Sequence, residues 1–309
     1  MEFIIDEKNN GKILRDYIRT ECGISRGLLA KLKKTENGIV LNGACVTVRA
    51  VLKTGDTVTL KTEDTAQDVN PYVEPMGDLP PVIYEDEAVL VVNKPSGMPT
   101  HTSFGHYGDA LSNAVCAYMQ NKGEPFVFRA INRLDRDTSG AVLIAKNRHY
   151  AAILSQAMAR AEITKRYVAV TDGVPAEKGR IEGYISREGQ SIIKRKLAPE
   201  MSEGSEYSVT EYETVSAVNG KALVRLNPVT GRTHQLRLHL ASVGCPICGD
   251  TMYGYESPLI GRQALHAYYL CFPSPVNGEA IKVYCEPSDD ILKLAARFGL
   301  DPELIRREP

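Results

Sequence analysis

The sequence predicts an α+β protein with a small basic head and a larger body. Three observations carry that prediction. Residues 88–92 and 141–145 are apolar runs of strand length, too short for helices and partly β-branched. Residues 110–121 and 148–160 instead repeat apolar side chains at helical spacing, with Leu111, Val115, Tyr118 and Met119 in the first stripe and Ile153, Leu154, Ala157 and Met158 in the second. Charge and proline divide the chain as well. Residues 1–61 carry eleven Lys or Arg against seven Asp or Glu, whereas residues 62–88 carry eight acids and no Lys or Arg.

In the head, residues 11–34 read as two short helices broken at Cys22-Gly23-Ile24. Ser25 is placed to cap the second helix, because a serine hydroxyl can accept one of the unpaired amides of a first turn. Residues 38–43 read as a strand running into Asn42-Gly43, the residue pair that favours a tight hairpin. Val46, Val48, Val51, Val58 and Leu60 follow, with a turn at Gly55-Asp56. Pro71, Pro75, Pro80 and Pro81 among acids predict a stiff, extended linker. The expected division is a head over residues 1–61, a linker over 62–81 and a body over 82–309, with separate cores for head and body.

Composition narrows the function classes. No apolar stretch approaches the roughly 20 residues of a membrane helix. The start, Met1-Glu-Phe-Ile-Ile-Asp6, lacks the basic and apolar regions of a secretory signal. Seven scattered cysteines, an odd number, fit reduced thiols and a cytoplasmic protein. The net charge of −1 announces no nucleic-acid partner, but the basic head favours one locally.

The chemistry concentrates in residues 129–145. Arg129, Arg133, Arg136, Asp135, Asp137, Thr138, Ser139 and Gly140 form a charged loop ahead of a buried strand, a rigid mount for a reactive carboxylate or a surface loop of local ion pairs. Thr138 and Ser139 can bond backbone or a carboxylate of that loop, and Gly140 can turn left-handed. Earlier, Asn93-Lys94-Pro95-Ser96-Gly97 fixes an irregular backbone in which Lys94 reaches a phosphate or serves the structure. Later, Lys165-Arg166-Tyr167-Val168 has strand character and puts Lys165, Tyr167 and Ala169 on one face. Lys194-Arg195-Lys196 is a phosphate contact or a solvated face. Residues 233–244 read as a helix capped by Thr233 and stopped by Gly244. Residues 289–298 read as an amphipathic helix on the outside.

Arg133-Leu134-Asp135-x-x-Thr138-Ser139-Gly140 resembles the aspartate motif of the RluA/RluD-type pseudouridine synthases, which isomerise uridine in RNA. Lys165-x-Tyr167 resembles their lysine-x-tyrosine motif. Thr230-Gly231-Arg232-Thr233-His234-Gln235-Leu236-Arg237 is similar, without a gap, to a third motif, and Gln263-Ala264-Leu265-His266-Ala267 to a late one. The resemblance implies a mixed, largely antiparallel catalytic sheet and an active site in a cleft across it. It implies Asp135 as the catalytic aspartate, Tyr167 against the target uracil and Arg237 paired with Asp135. It further implies Arg133 in the place vacated by a flipped base, and Leu265 as a wall of the uracil pocket. The head resembles the small alpha-L RNA-binding domain. One departure stands out: Asn132 occupies the position where the family's motif opens with histidine. Its side chain still hydrogen-bonds, so the loop is expected to survive.

The chain thus reads as an RNA pseudouridine synthase, expected to be a cytoplasmic monomer acting on ribosomal RNA or tRNA with no cofactor, metal or membrane. The alternative is a non-catalytic RNA-binding protein of the same fold acting in ribosome assembly. Cys245-Pro-Ile-Cys248 has the spacing of half a zinc knuckle or a redox pair, but there is no second such pair. His234 and His239, five apart, do not share a helical face.

Overall fold

Two β-sheets of unequal size organise the computed structural model, which describes residues 1–123, 125–189, 191 and 193–306. The first sheet belongs to the head. Its strands β1 (Glu2–Ile4), β2 (Ile39–Leu41), β3 (Ala44–Cys45) and β4 (Thr57–Leu60) run in the order β1-β4-β2-β3 beside helices α1 (Leu14–Thr20) and α2 (Arg26–Leu32). Asn42 and Gly43 take φ of 50° and 80°, so the hairpin between β2 and β3 turns where the residue pair predicts. The Ser25 hydroxyl accepts the Leu28 N–H at 3.2 Å and starts α2. Leu14, Ile18, Leu28, Leu32, Val58 and Leu60 form a core of the head's own. Strand β1 escapes the pattern reading because three residues, one of them the exposed Ile4, are too few to show an alternation.

Residues 62–81, expected as a stiff, extended linker, do not run free of the body. They contain a single 3₁₀ turn at Ala66–Asp68, and they are pinned to the body by buried charge. The Asp64 carboxylate, 1 % exposed, takes both prongs of Arg129 at 2.7 Å and Arg148 at 3.2 Å. Asp68 bonds Arg148 at 2.9 Å and also the Lys31 ammonium of α2. One arginine thus bridges both acids, and the linker ties head and body together.

The body is built on strands β5 (Val82–Glu85), β6 (Val89–Lys94), β7 (Ser139–Ala145), β8 (Thr164–Asp172), β9 (Lys178–Arg187), β10 (Arg195–Ala198), β11 (Glu206–Val218), β12 (Lys221–Pro228), β13 (Leu265–Pro273) and β14 (Ala280–Tyr284). Their order is β10-β9-β11-β12-β8-β13-β7-β6-β5, with β14 on β13. Every pairing is antiparallel except β7 with β13, so the sheet is mixed and largely antiparallel. Helices α3 (Leu111–Asn121), α4 (Arg148–Ala159), α5 (Gln235–Ser242), α6 (Asp289–Arg297) and α7 (Glu303–Arg306) complete it. Strand β7 is buried at all seven residues, which explains its unbroken apolar run. Helix α6 does more than cover the outside: Ile291, Leu294 and Ala295 enter the main core. No helix among the described residues is long and apolar enough to cross a membrane.

Candidate active site

The loop ahead of β7 is held at almost every residue. Asn132 is buried and behaves as a piece of strand: its Nδ2 donates to Ala141 O at 3.1 Å and its Oδ1 accepts the Leu143 N–H at 2.8 Å. Leu134 is clamped through both main-chain groups, at 2.9 and 3.2 Å, by the Thr100 hydroxyl. Lys94 is fully buried, and its ammonium donates to the carbonyls of Pro95, Met98 and Arg136 at 2.7–3.0 Å. Burial lowers its pKa to about 7. Lys94 therefore braces the loop and has no donor left for a phosphate. Thr138 and Ser139 bond across to the next strand rather than to a loop carboxylate: Thr138 accepts from Gln263 at 3.1 Å and Ser139 meets His266 at 2.9 Å.

Gly140 is set by both conformation and space. Its φ is 121°, and a Cβ there would lie 2.3 Å from the Ala267 carbonyl oxygen. This is where β7 and β13 run side by side in parallel, so only glycine lets the two backbones approach.

Asp135 stands at the turn of this loop, 22 % exposed, at the wall of a cavity of about 470 Å³. The cavity collects every residue expected from the sequence: Arg133, Asp135, Tyr167, Arg237 and Leu265 all line it. Tyr167 reaches it from β8, and Leu265 from the first position of β13. The Tyr167 ring is packed in the core, its hydroxyl has no hydrogen-bond partner among the described residues, and burial with the nearby Asp135 charge raises its pKa. Arg133 is exposed at the rim, without an ion pair among the described residues.

Arg237 donates from Nη1 to Asp135 at 3.2 Å, as the resemblance implies, but that is its minor contact. Its two-pronged partner is Asp250, at 2.6 and 2.8 Å, with a side chain only 1 % exposed. Burial opposes the Arg237 charge, and the Asp250 carboxylate outweighs it, so the pKa moves up. Asp250 in turn accepts the N–H groups of Met252 and Tyr253 at 3.0 and 3.2 Å. Sequence reasoning assigned Asp250 no role, although the acid stands within Gly249-Asp250-x-x-Tyr253-Gly254, a stretch that continues the third motif.

Helix α5 starts differently from the expectation that Thr233 caps it. The cap is His234, in a left-handed conformation with φ of 58° and no side-chain bond into the first turn. The Gln235 side chain closes the turn instead, accepting from the Arg232 N–H at 3.0 Å and the Thr230 hydroxyl at 2.7 Å. The left-handed backbone turns His234 toward the cavity. Its Nδ1 lies 3.0 Å from the Tyr253 hydroxyl, which accepts the Arg195 N–H at 2.8 Å. The imidazole Nε2 lies 3.9 Å from the Asp135 carboxylate. A non-glycine residue held left-handed beside the Asp135 carboxylate fits the clustering of strain at functional sites. Cys245 and Cys248 lie outside this cavity as buried free thiols, the latter pushed up to about 11 by burial. Among the described residues, no three metal-ligating side chains converge.

Comparison with known proteins shows the family and the fold. The sequence pattern of the family described as RNA pseudouridylate synthase matches residues 88–242. The chain is 36 % identical over 275 residues to a Bacillus subtilis protein named uncharacterized RNA pseudouridine synthase YjbO, covering 89 % of this chain and 95 % of that one. It is 34 % identical over 223 residues to the ribosomal large subunit pseudouridine synthase D of Zymomonas mobilis, covering 68 % of this chain and 70 % of the other. Among solved structures, human RNA pseudouridylate synthase domain containing 4 superposes with a TM-score of 0.57 at 26 % identity, over 71 % of this chain and 93 % of that one. A family pattern matched over residues 88–242 and a relative 36 % identical along 89 % of the chain lead to one conclusion: the protein belongs to the RNA pseudouridine synthase family and is an isomerase acting on RNA.

Proposed function

We propose that the chain converts specific uridines of ribosomal RNA to pseudouridine, with Asp135 as the reacting carboxylate. The observation that carries the reading is convergence: residues from a loop, two strands and a helix, more than 130 positions apart at the extremes, line one cavity around Asp135. Several relatives, including the Zymomonas mobilis protein, are named ribosomal large subunit pseudouridine synthases, which supports a ribosomal RNA substrate.

The reaction must break the bond between uracil N1 and ribose C1′, turn the base, and join C5 to C1′, with the C5 hydrogen leaving as a proton and N1 taking one up from water. A stacked base is out of reach, so the nucleotide leaves the helix first. Arg133, exposed at the rim and without a carboxylate partner among the described residues, takes the vacated place. Tyr167, an uncharged phenol on a buried ring, stacks on the uracil, and Leu265 closes the apolar wall. Asp135 acts on the ribose, as a nucleophile at C1′ or as the base that takes a ribose proton. Arg237, locked by Asp250, holds Asp135 in position. No electrons leave and no group is lost, so the reaction as written calls for no cofactor. The protein works as a cytoplasmic monomer in this reading, and the basic head adds RNA affinity.

Mapping pseudouridines in RNA from cells lacking this protein tests the proposal. The expected result is loss at specific ribosomal uridines, restored by the wild-type gene. Loss confined to tRNA overturns the choice of substrate. Maps unchanged in every RNA favour the non-catalytic reading in ribosome assembly.

A further inference from the structure

Lys165 lies inside the cavity with no assigned role. It shares a face of β8 with Tyr167, two residues or about 6.6 Å along the strand. Its ammonium reaches the Met158 thioether at 3.6 Å, and among the described residues it meets no oxygen acceptor. Sulfur is a weak acceptor, so three strong donors are left largely unused. Burial lowers the Lys165 pKa, and no carboxylate contributes to raise it. Two other cations of the cavity are matched, Arg237 by Asp250 and Arg232 by Glu206, whereas Arg133 stands exposed at the rim. A half-buried, unmatched charge is costly, and a protein retains one where a ligand completes it.

The opposite wall supplies a second observation. A Cβ on Gly231 would stand 3.5 Å from the Lys165 ammonium. Gly231 is absent from the left-handed glycines, so its backbone does not demand glycine. The missing side chain keeps the ammonium open, since any longer one would cover it.

We propose that Lys165 is the phosphate subsite of the cavity and binds the phosphodiester of the flipped uridine itself. The inference rests on the isomerase reading for the identity of the nucleotide. With the base on Tyr167, one ribose separates uracil from phosphate, which matches the spacing of two positions along a strand. The cavity of about 470 Å³ also offers more room than a pyrimidine base fills. The subsite selects a uridine within an RNA chain over free uridine, and it turns phosphate binding into orientation of the ribose at Asp135.

The test compares wild type, Lys165→Gln, Lys165→Arg and, as a control on the exposed face of α6, Lys293→Gln. The probe is ribosomal RNA from cells lacking the protein, labelled with tritium at uridine C5. Binding across a salt series and tritium release are both read. Lys165→Gln is expected to flatten the slope of log affinity against log salt by about 0.7, the loss of one single-strand phosphate contact. It should raise KM at least tenfold with a smaller change in kcat, and its melting temperature should hold or rise because an unmatched charge has gone. Lys165→Arg should recover most of the slope, and Lys293→Gln should change nothing. An unchanged slope in Lys165→Gln overturns the proposal, as does a fall in melting temperature with KM unaltered. Should wild type release no tritium while Lys165→Gln still flattens the binding slope, the isomerase reading fails and the phosphate subsite stands.

Discussion

At the scale of single residues, the lining of the cavity was legible in the sequence, and the pairing behind it was not. Asp135, Tyr167 and Leu265 converge on one cavity from motifs far apart in the chain. The hidden partner was Asp250, because a sequence shows neither that an acid is buried nor which guanidinium it faces. That partner redirects the effect of removing Arg237. The carboxylate stranded in Arg237→Ala is Asp250, 1 % exposed, while Asp135 keeps access to water. Arg237→Ala is therefore expected to lose about 3–5 kcal/mol of stability, read as a lower urea midpoint. Arg237→Ala with Asp250→Ala should lose markedly less than the sum of the two single changes. Additivity would show that the two residues do not act as a pair. Arg237→Lys keeps the charge but not the fork that spans Asp250 and Asp135, so activity should fall at least tenfold while RNA binding changes little.

At the scale of elements, strands and helices with long uniform patterns were readable, and the exceptions have physical causes. Strand β7 announced itself by an apolar run, but its parallel contact with β13, some 127 positions away, is invisible in local pattern. Gly140 is the residue that permits it. Gly140→Ala combines a left-handed φ with a Cβ 2.3 Å from a carbonyl oxygen, and backbone must move to relieve it. A destabilisation of about 2 kcal/mol or more is expected, with activity falling as the Asp135 loop shifts. Wild-type stability in that variant would mean that β7 and β13 are not this close. The start of α5 was misread for a related reason: capping rules favour threonine, whereas here Gln235 and a left-handed His234 close the turn.

At the scale of the whole molecule, nothing in the sequence marked the ion cluster that joins residues 62–81 to the body. Acids in a linker look solvated, yet Asp64 is buried between Arg129 and Arg148. Asp64→Ala strands both arginines and should lower stability by about 3–5 kcal/mol. It should also speed proteolysis within residues 62–81, and unaltered cleavage would place the head's attachment elsewhere. Acid should weaken the molecule as well. Burial holds His149, His239 and His266 near about 4, below the roughly 6.5 of an unfolded histidine. Between those values the unfolded chain binds more protons, so stability is full above about pH 6.5 and declines toward about pH 4. Urea midpoints that stay level from about pH 7 to about pH 5 would contradict buried neutral histidines. The central claim, that Asp135 drives an isomerisation, has its most direct test in tritium at C5 of uridine, because joining C5 to the ribose must release it to water. Wild type should release label from RNA of cells lacking the protein, and Asp137→Asn, altering a half-buried carboxylate that pairs with Arg136, should keep measurable activity. Asp135→Asn should fold, bind the same RNA with similar affinity and release none; release at the wild-type rate would contradict the account.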